Sequence, residues 1–182
     1  MIIYDCDDVL LDWCGGFKNW VNRVHGLNVS GSPETWDLSE WIGTDARQLI
    51  VDFNNSPDFN WLKPCPGAKE TLKGKACVLT SCSTDPQVQT ARRFNLQMVF
   101  GNDAFQDVFC LDLGQSKLAH LQALHTLYGS CTWIEDNVSH AKAGLAAGHE
   151  AVVIRRPHNR HLEQPGDGLR WVDSLFHVLL DI

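Results

Sequence analysis

The sequence predicts an α/β protein, a three-layer sandwich in which helices cover both faces of a mainly parallel sheet. Short, fully apolar runs of strand length recur along the chain, and from about residue 68 they alternate with segments of helical spacing. Glycines such as Gly129 and Gly148 end two of these helical segments. Strands that are apolar throughout are buried on both faces, so their alternation with helices indicates parallel strands.

Composition sets the broad class of the protein. The 182 residues predict one domain with a small insertion, and 44% hydrophobic with 20% charged residues is typical of a globular protein. The net charge of -7 argues against a nucleic-acid partner, which needs a basic face. The chain has seven cysteines but no CxxC pair, and it shows neither a basic apolar leader nor an apolar stretch of transmembrane length. These features predict a cytoplasmic protein without a membrane partner.

The first predicted strand ends in acids. A short apolar run, Ile2–Tyr4, is followed by Asp5 and Asp7, with Asp8 beside them. An extended chain has a period of two, so Asp5 and Asp7 project to the same side. Two close carboxylates repel each other, and a bound cation or a division into charged nucleophile and protonated acid relieves the repulsion. The alternative is a solvated acidic turn.

The remaining strands and helices follow in alternation. Strands are predicted at residues 76–80, 108–111, 131–134, 151–154 and 169–172, and helices after Asp85-Pro86 and at 116–128, 139–147 and 173–180. Asp85 is a good N-cap and Pro86 a good first helical residue. Ligands of such folds bind at the carboxyl ends of the strands, where Thr80-Ser81 and Glu135-Asp136 stand.

Residues 14–66 interrupt this alternation and predict a small helical cap inserted after the first strand, with residues 1–13 and 67–182 as the catalytic core. Two apolar stripes at helical spacing carry the prediction, at residues 17–24 and 46–53, with Thr44 as N-cap of the second. The aromatics Trp36, Trp41, Phe59 and Trp61 either pack the core of this cap or face a substrate.

Four motifs in order resemble those of the haloacid dehalogenase-like superfamily of phosphohydrolases. They read YDCDDVLLD, CVLTS, GQSKLAHL and TWIEDNVSHAKAGLAAG, and the resemblance covers nearly the whole chain outside residues 14–66. It implies a Rossmann-like sheet and a Mg²⁺-dependent phosphatase, since the dehalogenase branch lacks the second acid, Asp7, and the metal. Asp8 departs from the pattern, because the family usually has glycine at this position.

The resemblance also implies roles for these residues. Asp5 is the nucleophile that forms an aspartyl-phosphate, and Asp7 is the general acid and later the base. The oxygens in transfer are bound by Thr80, Ser81 and Lys117, with Thr80 favoured over Ser81 by its position at the strand end.

The same resemblance implies a Mg²⁺ site. Asp5, the backbone carbonyl of Asp7 and Asp136 hold the ion, with Glu135 in or next to its coordination shell. Structural alternatives remain for single residues: Thr80 capping a turn, Lys117 as a solvated lysine, and Glu135-Asp136 capping the following helix.

The segment from Trp61 to Ala68 resembles the 5'(3')-deoxyribonucleotidase branch, which implies a small phosphomonoester substrate such as a (deoxy)nucleoside monophosphate. The alternatives are a sugar or other metabolite phosphatase, a phosphomutase, or a non-catalytic phosphate-binding regulatory module. Arg155 and Arg156 follow a predicted strand, and a solvated turn is predicted there, with an approach to a phosphate or a partner as the alternative. His158 and His161 are predicted not to form a metal site, because no other ligands lie near them in sequence.

Overall fold

The computed structural model describes residues 1–72 and 75–178. Its strands are β1 (Ile2–Tyr4), β2 (Ala76–Ser81), β3 (Asp107–Leu111), β4 (Thr132–Glu135), β5 (Glu150–Ile154) and β6 (Arg170–Val172). They form one parallel sheet in the order β3-β2-β1-β4-β5-β6. The predicted α/β sandwich with a parallel, Rossmann-like sheet is confirmed.

Eight α-helices accompany these strands in the described ranges. They are α1 (Trp13–His25), α2 (Leu38–Ile42), α3 (Arg47–Asn54), α4 (Ala68–Thr71), α5 (Pro86–Phe100), α6 (Leu118–Tyr128), α7 (Val138–Ala146) and α8 (Leu175–Val178). The predicted last helix, 173–180, extends beyond the described residues. No helix in the described part of the chain is long and apolar enough to cross a membrane.

Strand β1 lies in the middle of the sheet, and the strand order reverses beside it. Tyr4 is in register with Val78 of β2 on one side and with Ile134 of β4 on the other. All three side chains are fully buried, as their apolar character predicts. The carboxyl ends of β1, β2 and β4 therefore meet at the reversal, where parallel sheets form a ligand crevice.

The chain between β1 and β2 carries α1, α2, α3 and a 3₁₀ turn, Pro57–Trp61. Phe17, Phe53 and Phe59 are fully buried here and belong to the same hydrophobic cluster as Tyr4 and Val78 of the sheet. The helical insertion thus shares one hydrophobic core with one face of the sheet.

Of two helix N-caps predicted from the sequence, the structure contains one and lacks the other. Asp85 caps α5 as predicted, since its Oδ1 accepts the N–H of Gln87 at 2.8 Å. Thr44 does not cap α3: the helix begins at Arg47, whose N–H donates to Asp45 Oδ1 at 3.0 Å. The N–H of Arg47 is bound by the carboxylate of Asp45, the residue after Thr44, and not by the threonine hydroxyl. The predicted Thr44 cap is therefore wrong.

Candidate active site

Lys117 joins two acids at the carboxyl ends of neighbouring strands. It immediately precedes α6, and its Nζ lies 2.6 Å from Asp5 Oδ1 after β1 and 2.8 Å from Glu135 Oε2 at the end of β4. Lys117, Asp5 and Glu135 are all buried. Burial alone would lower the pKa of Lys117, but the two acids outweigh it and raise the pKa, so the ammonium stays charged. A solvated Lys117 is thereby excluded.

Asp5, Glu135 and Asp136 form a buried carboxylate cluster whose ligand oxygens lie within 4.8 Å of one another. Burial raises the pKa of Glu135 and of Asp136 well above the usual range, and the charge of Asp5 adds to both shifts. Carboxylate oxygens that are shielded from water and repel each other suit a divalent cation, because the ion would favour the ionised forms of the carboxylates. The donor set of these three residues therefore fits a divalent metal ion.

Glu135 and Asp136 do not cap the helix that follows them. Asn137 does so, because its Oδ1 accepts the N–H groups of Ser139 and His140 at 2.9 and 3.3 Å. This leaves the Asp136 carboxylate in the cluster, where its Oδ2 lies 3.1 Å from His158 Nε2. The alternative in which the acidic pair serves as a helix cap is thus wrong.

Asp7 lies in the turn after β1 and lines the same cavity as Asp5. Its Oδ1 accepts a hydrogen bond of 2.5 Å from Nη2 of Arg92 on α5. Burial raises the pKa of Asp7 to about 7, with Arg92 opposing the shift and Asp5 adding to it. Asp7 thus holds a proton near neutral pH that a carboxyl in water would lose.

The two hydroxyl side chains at the end of β2 have different surroundings. Ser81 lines the cavity with Asp5 and Asp7, whereas Thr80 is fully buried and does not line it. Neither hydroxyl has a hydrogen-bond partner within the described residues. An unpartnered buried hydroxyl is costly, so a ligand oxygen that enters the cavity would find a free donor in Ser81.

The backbone conformation at residue 8 accounts for the aspartate that stands there in place of glycine in the first motif. Its φ is 55°, in the left-handed region that favours glycine and that asparagine and aspartate tolerate best among other residues. Its Oδ1 accepts the N–H of Cys14 at 3.0 Å, and its carbonyl accepts Nε and Nη2 of Arg156 at 2.8 and 2.6 Å. The turn is held by its own side chain and by Arg156.

A cavity of about 210 Å³ lies between the carboxylates and the helical insertion. The cavity has an apolar wall made by Trp13 at the start of α1 and by four residues of the insertion, Pro33, Trp36, Leu38 and Ile50. Trp36 is 47% exposed, and its ring centroid lies 4.2 Å from that of His158.

The other aromatics of the insertion serve different purposes. Phe59 is in the core, Trp41 donates to the carbonyl of Ser30, and Trp61 is exposed against Phe94. Trp36 is thus the member of the predicted aromatic set that lines the cavity beside the carboxylates.

Several residues at the site were not found from the sequence. Arg92 follows Val88 and precedes Leu96 on the buried face of α5, so an arginine at i+4 in an apolar stripe was the available signal. His140 and His158 also line the cavity, and burial lowers the pKa of each to about 4. No sequence signal links His158 to Asp136, because their contact is made by the fold.

The prediction for the loop after β5 is partly wrong. Arg155 pairs with Glu163 through two bonds of 2.8 and 2.7 Å, and Arg156 binds the turn at Asp8, so this segment is not a simple solvated turn. His161 is exposed and takes no part in the site. The carboxylate cluster found among the described residues consists of Asp5, Glu135 and Asp136.

Comparison with solved structures assigns the fold. A haloacid dehalogenase-like hydrolase from Streptococcus pneumoniae superposes with a TM-score of 0.67 at 14% identity, covering 99% of this chain and 96% of that one. The chain has the haloacid dehalogenase-like fold. The CbbY protein from Rhodobacter sphaeroides in complex with phosphate gives 0.62 at 19% identity, over 96% and 93% of the two chains.

An L-2-haloacid dehalogenase from Xanthobacter autotrophicus, with chloropropionic acid covalently bound, also gives a TM-score of 0.62, at 12% identity over 97% and 95% of the two chains. The solved structures that are similar to this chain therefore include both a dehalogenase and a protein that binds phosphate. No protein-family model matches the chain. No curated protein matches its sequence either.

Proposed function

We propose that this chain is a Mg²⁺-dependent phosphatase of the haloacid dehalogenase-like superfamily that hydrolyses a small-molecule phosphomonoester. One observation carries the proposal: Asp5, held by Lys117, and Asp7, with a pKa raised to about 7, line the same small cavity. A fixed carboxylate beside a carboxyl that holds its proton provides the nucleophile and the general acid of such a reaction.

The reaction begins at Asp5. Lys117 occupies Oδ1 of Asp5, and Oδ2 has no hydrogen-bond partner within the described residues. A carboxylate oxygen of Asp5 forms a bond to phosphorus while the bond from phosphorus to the leaving oxygen breaks, and Asp7 gives its proton to that oxygen. Asp7 then takes a proton from water, which attacks phosphorus and restores the Asp5 carboxylate.

Charge stabilisation comes from the residues around this nucleophile. Lys117 presents a desolvated ammonium next to Asp5, and the unpartnered hydroxyl of Ser81, which lines the cavity, can donate to a phosphoryl oxygen. Asp5, Glu135 and Asp136 would hold Mg²⁺. When bound, the ion neutralises the charge of the carboxylates and of the transferring phosphoryl group.

Asp7 favours phosphate chemistry over dehalogenation. An alkoxide or phenoxide leaving group needs a proton, whereas a halide leaves without one. A partly buried carboxyl that keeps its proton near neutral pH is therefore useful for a phosphomonoester and has no task in dehalogenation.

For the organic part of the substrate we propose a flat, largely apolar group, such as the base of a (deoxy)nucleoside monophosphate. The insertion contributes few polar side chains to the cavity, and that of Asn54 is already engaged by Trp13 and the carbonyl of Cys82. The exposed face of Trp36 could stack on a base, which contributes about 1–3 kcal/mol. A sugar phosphate would find fewer hydrogen-bond partners there.

Phosphate release tests this proposal. We expect turnover of p-nitrophenyl phosphate with Mg²⁺, loss with EDTA and loss in Asp5→Asn, while Asp45→Asn in the exposed part of the insertion stays active. A panel of deoxynucleoside monophosphates and sugar phosphates then ranks the substrates. Turnover that does not depend on Asp5 contradicts the proposal, and phosphate binding without turnover of any substrate indicates the regulatory module.

A further inference from the structure

Arg92 is a fully buried cation in the wall behind the site. Its Nη2 lies 2.5 Å from Asp7 Oδ1, and its Cζ lies 4.3 Å from the ring centroid of Phe59 in the insertion. Its Nε and Nη1 have no hydrogen-bond partner within the described residues. Within the described residues the guanidinium thus makes a single ion pair, and its other surroundings include the Phe59 ring and the thiols of Cys6 and Cys82.

Packing gives no reason for an arginine at this position. Arg92 occupies the buried face of α5 between Val88 and Leu96, where leucine or methionine would suit the surrounding core. A buried charge with unsatisfied donors is unfavourable, and replacement of a buried ion pair by apolar residues is often neutral or stabilising. The arginine therefore points to a function rather than to stability.

The contact with Asp7 has a geometry suited to that function. Arg92 is anchored in the fifteen-residue helix α5 and stacked on Phe59, so its guanidinium is fixed. It engages only Oδ1 of Asp7, while Oδ2 has no partner within the described residues and Asp7 lines the cavity. One carboxyl oxygen is held and the other is left for the substrate.

We propose that Arg92 is a positioning residue that fixes the carboxyl of Asp7 so that its free oxygen meets the leaving-group oxygen of the substrate. The proposal rests on the proposed phosphatase function. Arg92 does not line the cavity, so it acts through Asp7 rather than on the substrate. A carboxyl misplaced by about 1 Å can lower the rate by about 100-fold.

This role predicts a dependence on the leaving group. Phenol has a pKa of about 10, like the tyrosine side chain, and must receive a proton as it leaves. p-Nitrophenol is much more acidic and leaves with little help. The two phosphate esters differ only by a nitro group, so loss of the positioned acid should slow phenyl phosphate far more than p-nitrophenyl phosphate, whereas a general loss of structure slows both alike.

The experiment compares kcat for these two esters in wild type, Arg92→Met and Arg92→Lys. The neighbouring Arg93→Met is the matched control, because Arg93 is exposed and donates to the carbonyl of Val108 outside the site. We expect Arg92→Met to lose about 100-fold or more on phenyl phosphate and less than about 5-fold on p-nitrophenyl phosphate. Arg92→Lys keeps the charge and should show the same bias with a smaller loss.

A double-mutant cycle with Asp7→Asn completes the test. If Arg92 acts through Asp7, Arg92→Met causes no further loss on phenyl phosphate once Asp7 is replaced. Equal losses on both esters, additive losses in the cycle, or failure of both Arg92 variants to fold, as judged by circular dichroism, would overturn the proposal. Failure of the proposed function is distinct from these, because wild type would then not release phosphate or would not need Asp5.

Discussion

The Nζ of Lys117 lies 2.6 Å from Asp5 Oδ1 and connects the start of α6 to the end of the central strand β1. The same ammonium reaches Glu135 Oε2 at 2.8 Å, so one buried cation stabilises acids at the ends of two neighbouring strands. The charge distribution of the site is therefore fixed by parts of the chain that are far apart in sequence.

Replacement of Lys117 should harm both stability and activity. Lys117→Met leaves Asp5 and Glu135 without their buried counter-charge, and breaking such a pair from one side costs about 3–5 kcal/mol of the free energy of unfolding. Urea unfolding with EDTA present measures the loss. Lys142→Met on the exposed surface of α7 is the control and should change stability by less than about 0.5 kcal/mol. A loss below about 1 kcal/mol for Lys117→Met would show that the acids are neutralised in another way.

The raised pKa of Asp7 makes stability depend on pH. Because the folded state holds this proton up to a pH of about 7 and the unfolded state loses it near pH 4, the folded state binds more protons in between. The contribution of Asp7 is fully present below about pH 4 and is lost as the pH rises to about 7. Urea unfolding between pH 4 and 8 in EDTA should show this decline in wild type and a smaller decline in Asp7→Asn; identical slopes contradict the shift.

The carboxylate cluster should bind a divalent cation that stabilises the fold. The melting temperature is expected to rise with MgCl₂, by an amount equivalent to about 2.7 kcal/mol at a hundredfold excess over Kd. The effect should increase with pH, because the raised pKa values of Glu135 and Asp136 mean that protons compete with the cation. Asp136→Asn should lose it, and Asp103→Asn, which is exposed and outside the cluster, should keep it. A response that survives in Asp136→Asn would place the ion elsewhere.

The left-handed turn at Asp8 should tolerate only certain side chains. Asp8→Asn keeps both the conformation and the acceptor for Cys14, and we expect a stability within about 0.5 kcal/mol of wild type. Asp8→Val places a β-branched residue at positive φ and should lose about 1–2 kcal/mol. Thermal unfolding of the two variants checks this. Equal stabilities would show that the turn does not require the left-handed conformation.

The sheet and the strand-end acids could be predicted from the sequence, because both follow from local pattern. A fully apolar strand specifies burial, and a parallel sheet brings the ends of its strands to one edge, so Asp5 and Glu135 were expected to be neighbours. The cap of α3 could not be predicted in the same way, because Thr44 and Asp45 both stand just before the helix. The carboxylate of Asp45 binds the free N–H of Arg47.

The remaining contacts depend on distances that no local pattern encodes. Arg92 is bonded to Asp7, which lies 85 residues away in sequence, and Arg156 is bonded to Asp8, which lies 148 residues away. Only the fold determines that the buried face of α5 lies beneath the turn after β1. The difference between Thr80 and Ser81 has the same origin, since which hydroxyl lines the cavity depends on how the strand end turns.

The most direct test of the account is whether Asp5 carries the phosphoryl group during turnover. Acid quenching of the working enzyme, reduction with borohydride and mass spectrometry of the N-terminal peptide would convert an aspartyl-phosphate at Asp5 to homoserine. We expect homoserine at position 5 in wild type and in Asp8→Asn, and none in Asp5→Asn. Phosphate release by wild type without any modification at Asp5, or with the modification at another acid, would contradict the assigned nucleophile.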